Sequence, residues 1–273
     1  MSFAAVVVTH RSREELARLL ASFRPPELIV VDTGADDGAA ELARAHHAIV
    51  IERRDNPGFG AACNVGLDHV TQPVSVLLNP DTEDHGDIAR LAGRAHTPGL
   101  HAPRLLNEDG SVQRSAHPLP GTLGALLPAL LPVHPVRAEP YRATKPRTVG
   151  WAVAACLAAR TELIRFDERI HLWAEDMDLC LRARNEGLRT FFHPDLTVVH
   201  TGRHSVENEP FDALARNRRD VIERTLGTRA RRLDDAAQAL TFASRALVKR
   251  GGRERRQLQA LLNARGPGNP GPR

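Results

Sequence analysis

The sequence predicts an α/β protein: a mostly parallel sheet with helices on both faces, followed by a C-terminal helical extension. Three observations carry that prediction. Short apolar runs alternate with helix-length amphipathic segments through the first 80 residues, a βαβαβ order that requires parallel strands joined by right-handed crossovers. The runs are apolar at successive positions, as in strands buried on both faces. From residue 211 onward the pattern is helical, broken near Gly227 and Gly251.

Taken in order, Phe3–Val8 reads as the first strand. Ser12, with Glu15 three residues on, forms a capping box that opens a helix through Phe23. Glu27–Val31 is the second strand, Asp36-Asp37-Gly38 leads into a helix through His46, and Ala48–Glu52 is the third strand. A glycine-punctuated helix runs from about Gly60 to Val70. Val74–Leu78 is the fourth strand, ending at Asn79-Pro80-Asp81. Asn107-Glu108-Asp109-Gly110, between Arg104–Leu106 and Ser111–Ser115, signals a hairpin. His117 to Pro146 holds seven prolines and reads as a long irregular loop with one helical turn at Leu123–Leu131. Val149–Ala158 is a strand, Trp173–Glu186 a helix closed by Gly187, and Arg189–His193 and Leu196–His200 two further strands. Residues 266–273 read as a disordered tail.

Composition narrows the function. At 42% apolar and 26% charged residues the 273-residue chain is ordinary globular protein. Cys63, Cys156 and Cys180 lie far apart with no C-x-x-C, which excludes a disulfide framework and a Cys-type zinc site and points to a reducing cytoplasm. The N-terminus lacks a basic region and a small-residue cleavage site, so no signal peptide is expected. The longest apolar stretch, Gly121–Val133, is 13 residues against the roughly 20 of a membrane span. Aromatics at 4% argue against a base-stacking nucleic-acid surface. Residues 214–265 carry 13 arginines and one lysine against five acids, a net of +9 in a chain whose total is +4. A basic tail is thus joined to an acidic body, which suits either a polyanionic partner or a solvated helix face.

In an open α/β sheet, ligands bind beyond the carboxyl ends of the strands. Those positions hold Thr9 and His10, then Asp32, then the Asp55–Gly60 turn, then Asn79-Pro80-Asp81. Polar and acidic groups converge there, as a nucleotide site with a metal needs. The first βα turn has no glycine, and Gly58-Phe59-Gly60 sits in the third turn with Cys63 where a third glycine would stand, so the dinucleotide fingerprint is missing; a P-loop is missing too. Asp81 at a strand end suits a hard divalent cation bridging phosphates, but Asn-Pro-Asp is also an ordinary turn. Glu175-Asp176-Met177-Asp178 opens a helix, where acids favour the macrodipole. Asp178 pairs with Arg182 at i,i+4, and Met177, Cys180 and Leu181 form the core face. Glu175 and Asp176 are left free to face a cleft, where a carboxylate can act as general base. His200, at a strand end, reads as a metal ligand, an acid–base group or a satisfied core histidine, and taken alone the core reading is preferred.

This constellation resembles the family 2 glycosyltransferases of the GT-A fold, and within them the rhamnosyltransferase-like branch, from about Ala4 to Ser205. Val-Val-Val-Thr9-His with Ile-Val-Val-Asp32-Thr-Gly-Ala-Asp-Asp-Gly38 is similar to the family's opening nucleotide-binding strands. Asn56-Pro-Gly-Phe-Gly-Ala-Ala-Cys-Asn64 resembles its N-x-G-F-x-x-x-x-N turn, and Leu77-Leu-Asn-Pro-Asp81 its DxD-type metal motif, with Asn79 at the first acidic position. Trp173-Ala-Glu-Asp176-Met-Asp-Leu-Cys-Leu-Arg182 resembles its E-D-x-D-x-x-x-R segment, with His200-Thr-Gly-Arg-His-Ser205 downstream.

The resemblance implies a Rossmann-like domain over residues 1–210, with a nucleotide-sugar half (1–115) and an acceptor half (116–210), then a basic helical extension over 211–265. It implies that Asp32 and Thr9 line the base pocket. Asn56, Gly58, Asn64 and Asn79 would shape the nucleotide loop, and Asp81 and His200 would hold a divalent cation, Mn2+ or Mg2+. Asp176 would be general base with Glu175 assisting, and Gly150, Trp151 and Trp173 would border the acceptor. The implied reaction is inverting, metal-dependent transfer from a dTDP- or UDP-sugar, rhamnose-like in this branch, to a hydroxyl of a glycan, a lipid-linked sugar or a small molecule, in glycoconjugate or cell-wall biosynthesis. A sugar nucleotidyltransferase and a non-catalytic nucleotide-sugar-binding protein on the same fold are the alternatives. Nucleic acid is not an expected partner. Leu233, Ala236, Ala237, Leu240 and Leu247 recur at helical spacing in the tail; that face can pack on the body, mediate a homodimer, or lie weakly on an anionic membrane at the inner face of the cell.

Overall fold

Strand β1 (Ala4–Thr9) is buried along its whole length and sits at the centre of the N-terminal half. It pairs in parallel with β2 (Glu27–Asp32) and β4 (Val74–Leu78), and β2 pairs in parallel with β3 (Ile49–Glu52). Successive β1 side chains serve opposite cores, which is why the run is apolar at every position. Ala5 and Val7 meet α1 (Arg13–Ser22), α2 (Ala39–Ala45) and α4 (Ile88–Arg94) through Leu16, Leu19, Ala43 and Leu91. Ala4, Val6 and Val8 meet α3 (Phe59–Leu67) and α5 (Glu175–Asn185) through Ala62, Cys63, Leu179 and Cys180. This is a computed structural model, and it describes residues 2–34, 36–122, 139–202, 211–249 and 252–264.

Beyond β4 the sheet becomes mixed. β10 (Cys156–Arg160) runs antiparallel between β4 and β6 (Leu100–Leu106), and β11 (Thr190–His200) continues it in parallel to β6. β5 (Thr82–Glu83) and β8 (Arg147–Val149) add antiparallel to β11, giving the order β3-β2-β1-β4-β10-β6-β11-β5. A separate ribbon pairs β7 (Ala116–His117) with β9 (Trp151–Ala152).

Several boundaries depart from the sequence-based expectation, each for a local reason. Ser12 stands at the N-cap of α1, but its hydroxyl donates to the His10 carbonyl at 2.9 Å and Glu15 pairs with Arg18, so no capping box forms. The expected strand Val149–Ala158 is three strands, because Gly150 turns against residues 118–119: a Cβ there would lie 2.2 Å from the Leu119 nitrogen. The two expected strands ending at His193 and His200 are one strand with a bulge between His193 and Thr197, where Pro194 lacks a ladder donor. Helix α4 was not expected from sequence; Asp84 Oδ1 opens it by accepting the N–H groups of Gly86, Asp87 and Ile88 at 2.9–3.1 Å. The expected turn at Leu123–Leu131, the segment Arg203–Ser205 and the tail 266–273 lie outside the described residues.

The basic C-terminal segment forms three helices, α6 (Phe211–Leu226), α7 (Thr228–Lys249) and α8 (Gly252–Asn263), packed on one another. Val221 and Ile222 of α6 are buried against Met177 and Leu181 of α5. Arg224 pairs with Asp178 and Asp167 of the body, so part of the charge asymmetry is satisfied within the molecule. The leucine stripe of α7 is divided: Ala237 is buried, while Leu233, Leu240 and Leu247 are exposed. Among the described residues no helix is long and apolar enough to cross a membrane.

Candidate active site

At the carboxyl ends of β1 and β4, where the strand order switches direction, a cleft of about 1010 Å³ opens. The turn after β1 (His10, Arg11), the Asn56–Phe59 turn, Asn79-Pro80-Asp81, the β9–β10 connection and the segment His171–Met177 line it. His200 closes its floor from the end of β11.

Asp81 and His200 form the first chemical pair. Asp81 Oδ1 lies 3.3 Å from His200 Nε2, and its other oxygen accepts the Gly202 N–H at 2.8 Å. Burial opposes ionisation of Asp81, but contact with His200 and the Gly202 N–H outweighs it, holding the carboxyl below the usual carboxylate range. On the far side of the ring, Gln113 Oε1 lies 3.0 Å from His200 Nδ1. An amide oxygen only accepts, so Nδ1 carries a proton, and Nε2 is the ring nitrogen that meets Asp81 and faces the cleft. Gln113 Nε2 in turn donates to the His200 carbonyl at 2.6 Å and to Asn107 Oδ1 at 2.8 Å, locking the hairpin to β11. A carboxylate oxygen and an imidazole nitrogen side by side are a donor pair that would fit a divalent cation. Among the described residues no cluster of three or more His, Cys, Asp or Glu offers a more enclosed metal site.

Glu175 and Asp176 form the second pair. Trp173 and Ala174 immediately before them both adopt left-handed backbone, φ 75° and 72°, a costly conformation for side chains of any size. It starts α5 abruptly, two residues later than expected, with both carboxyls on the cleft wall. Asp176 Oδ1 accepts the Met177 N–H at 2.6 Å. Burial raises both carboxyls above their ordinary range. For Glu175 the charge of Asp176 adds to that; for Asp176 the Met177 and Ala154 N–H groups and the charge of Arg218 oppose it. Glu175 Oε2 and Trp173 Nε1 are buried with no hydrogen-bond partner, two polar atoms in the wall of an open cleft.

The remaining sequence-derived candidates divide. Asn56, Gly58, Asn79, Trp151 and Trp173 line the cleft. Gly58 admits no other residue: φ is +93° and a Cβ would sit 2.0 Å from the His171 carbonyl oxygen, where the turn after β3 meets the loop before α5. Thr9, Asp32, Asn64 and Gly150 do not reach the cleft surface. Thr9 O and Asp32 Oδ1 fix the turn behind it, accepting Thr33 N–H at 2.9 Å and Gly34 N–H at 3.0 Å, and burial raises the Asp32 carboxyl. Asn64 clamps α3 to the 166–168 segment, bonding both Phe166 backbone groups and Glu168 Oε1 at 2.9–3.0 Å. Gly150 seats the ribbon on which Trp151 stacks against His117, 4.0 Å between centroids.

Sequence reasoning passed over three residues at this site. Gln113 sits in a hairpin strand with nothing to mark it, and its partner is 87 positions away. His171 matters through its carbonyl, which no residue type encodes. Arg218 arrives from the helical extension. Its Nε and Nη2 bond Asp234 at 2.8 and 2.7 Å, its Nη1 lies 3.6 Å from Met177 Sδ, and it lines the cleft with Asp176. The local charge excess was the available signal, but it could not single out one arginine.

Residues 4–117 match the family described as glycosyl transferase family 2. Among curated proteins, the chain is 29% identical to N-acetylglucosaminyl-diphospho-decaprenol L-rhamnosyltransferase of Mycobacterium tuberculosis, over 77% of this chain and 79% of that one. Among solved structures it is similar to S. aureus TarS 1–349 (TM-score 0.56, 17% identity, 97% of this chain and 80% of that one). It is also similar to a mannosyltransferase from Pyrobaculum calidifontis in complex with GDP-Man and Mn2+ (TM-score 0.59, 15% identity, 96% and 85%). Those two likenesses establish the shared α/β architecture.

Proposed function

We infer, for a chain that is a family 2 glycosyltransferase of the rhamnosyltransferase-like kind, that it moves a rhamnose-like sugar from a dTDP- or UDP-sugar to a hydroxyl of a lipid-linked sugar, inverting the anomeric carbon. One observation carries this reading: a single cleft at the β1/β4 edge is lined by Asp81, His200 and Asp176 together. The M. tuberculosis relative's acceptor, an N-acetylglucosaminyl diphosphate on decaprenol, supports the acceptor class. The likeness to a rhamnosyltransferase over most of the chain favours sugar transfer over a nucleotidyltransferase or a non-catalytic binding protein.

In this reading Asp32 and Thr9 support the base pocket from behind, through the turn that carries His10 and Thr33. Asn56 and Gly58 hold the loop that borders the nucleotide, and Asn64 anchors it from below. Asp81 and His200 would hold a divalent cation, which would supply positive charge to offset that building on the departing diphosphate. Asn79 stands beside this pair, its Nδ2 3.3 Å from His200 Nε2, and borders the nucleotide. Asp176 takes the proton from the acceptor hydroxyl. Desolvation makes its carboxylate a stronger base than an exposed aspartate, while the Met177 and Ala154 N–H groups, and after them the charge of Arg218, favour the ionised form. Glu175, next to Asp176 in the cleft wall, assists it or binds the acceptor, and Trp151 and Trp173 provide apolar faces for the sugar rings. A single displacement needs no enzyme nucleophile.

The test is transfer from dTDP-rhamnose to an N-acetylglucosaminyl-diphospho-prenol, with and without Mn2+, followed by NMR of the new linkage. The reading expects an inverted linkage and loss of turnover under chelator. A retained configuration, or full activity under chelator, overturns the mechanism.

A further inference from the structure

A second cavity, of about 320 Å³, opens off the catalytic cleft. Trp151, Leu214 and Arg218 line both, so the cavity adjoins the cleft that Asp176 lines. Its size is that of a small-ligand pocket. The walls are mainly apolar: Pro118 and Pro120 from the body, and Phe211, Ala237, Phe242 and Leu261 from the helical extension. The reaction described above uses none of these six. At the junction stands Arg218, a half-buried side chain with two nitrogens on Asp234 and a third beside a thioether, a weak acceptor. The helices that build the cavity also expose Leu240 and Leu247 among the arginines of the basic segment, Leu247 to 81%. An apolar, cationic outer surface next to an apolar cavity is what a lipid substrate drawn from an anionic bilayer would meet.

We propose that this cavity receives the proximal part of the acceptor's apolar chain, so that the helical extension is the lipid-binding element of the enzyme. The inference rests on the lipid-linked acceptor of the proposed function and adds where its chain goes. The acceptor's groups run hydroxyl, sugar, diphosphate, chain. The site presents, in the same order, a base at Asp176, a guanidinium at Arg218 and an apolar cavity. Burial of chain carbons there lowers KM by the hydrophobic effect, about 0.8 kcal/mol per methylene or roughly fourfold each.

The experiment compares two soluble acceptors that share the N-acetylglucosaminyl diphosphate, one ending in a short prenyl chain and one in a methyl group. For the full chain we expect KM for the prenyl acceptor to be at least tenfold lower. Ala215→Trp, which fills the cavity, and Phe242→Gln, which makes its wall polar without adding bulk, should each bring the ratio of the two KM values towards one. Melting curves identify a variant that fails to fold, and the other then carries the test. Equal KM values in the unmodified protein, or a chain preference kept by a folded variant, overturn the proposal. If Ala215→Trp instead alters the oligomeric state in sedimentation and leaves the chain preference intact, the cavity belongs to a contact between copies and the proposal also fails. If neither acceptor is used at all, it is the proposed acceptor class that fails, a result distinct from equal use of both.

Discussion

Asp176 and Glu175 are neighbours with opposite expected consequences when neutralised. Asp176→Asn should lower kcat by about 10²–10⁴-fold with donor affinity nearly unchanged, read by turnover and by nucleotide titration. Glu175→Gln should cost less activity and should stabilise the fold. The sign follows from linkage. Glu175 is raised above its ordinary 4.5 in the folded chain, so the folded state holds a proton that the unfolded state has released, and stability falls as pH rises through that interval. Melting temperature should therefore gain from Glu175→Gln at pH 8 and gain little near pH 4; a gain confined to acid pH contradicts the assignment. Gln113 acts through His200. Gln113→Leu removes the acceptor that fixes the Nδ1 proton, and Mn2+ affinity, followed by EPR in the absence of donor, should weaken by about 10–100-fold. Unchanged Mn2+ affinity would detach Gln113 from the metal site.

Between elements, docking of the helical extension rests on Arg224. It reaches Asp178, which is fully buried, and Asp167, whose carboxyl is held below the carboxylate range by Arg169 first and Arg224 next. Arg224→Ala should cost about 2 kcal/mol near neutral pH, less than the roughly 3–5 kcal/mol of a wholly unpaired buried charge, because Arg182 still holds Asp178 at 2.7 Å. A depressed carboxyl contributes stability above its unfolded value of 3.8 that is lost as pH falls, so the difference between variant and parent should narrow in acid. Denaturant melts at pH 7 and pH 3.5 check both parts. Elements also show what the sequence made legible. Asp81, Asp176 and His200 could be placed because strand ends and helix starts are local features, visible in a few adjacent residues. The bulge in β11, the division of the strand at Gly150 and the departure of Ser12 from capping depend on neighbours brought in by the fold. Gln113 and Arg218 were hidden for the same reason. Their partners lie 87 and 41 positions away, and only the assembled sheet and the docked α6 bring them together.

At the scale of the whole molecule, the charge asymmetry in the sequence has two outlets. Arg218, Arg219, Arg224 and Arg231 are consumed in ion pairs with Asp167, Asp178, Asp234 and Asp235. The outer face of α7 keeps Leu233, Leu240 and Leu247 in solvent. Binding to anionic vesicles should accordingly be weak and salt-sensitive, and Leu240→Ser with Leu247→Ser should reduce co-sedimentation at low salt without changing the melting temperature. Equal sedimentation of variant and parent would leave this face without a membrane role. The central claim, that one cleft joins a metal-held diphosphate to a base at Asp176, is tested most directly by single-turnover transfer from dTDP-rhamnose to the lipid-linked acceptor. Parent, Asp81→Asn and Asp176→Asn proteins are compared, each with donor binding measured separately. The account predicts that Asp81→Asn loses both Mn2+-dependent donor binding and turnover, while Asp176→Asn keeps donor binding and loses the transfer step. Near-parental transfer by Asp176→Asn, or donor binding in Asp81→Asn that still responds to Mn2+ as in the parent, would contradict it.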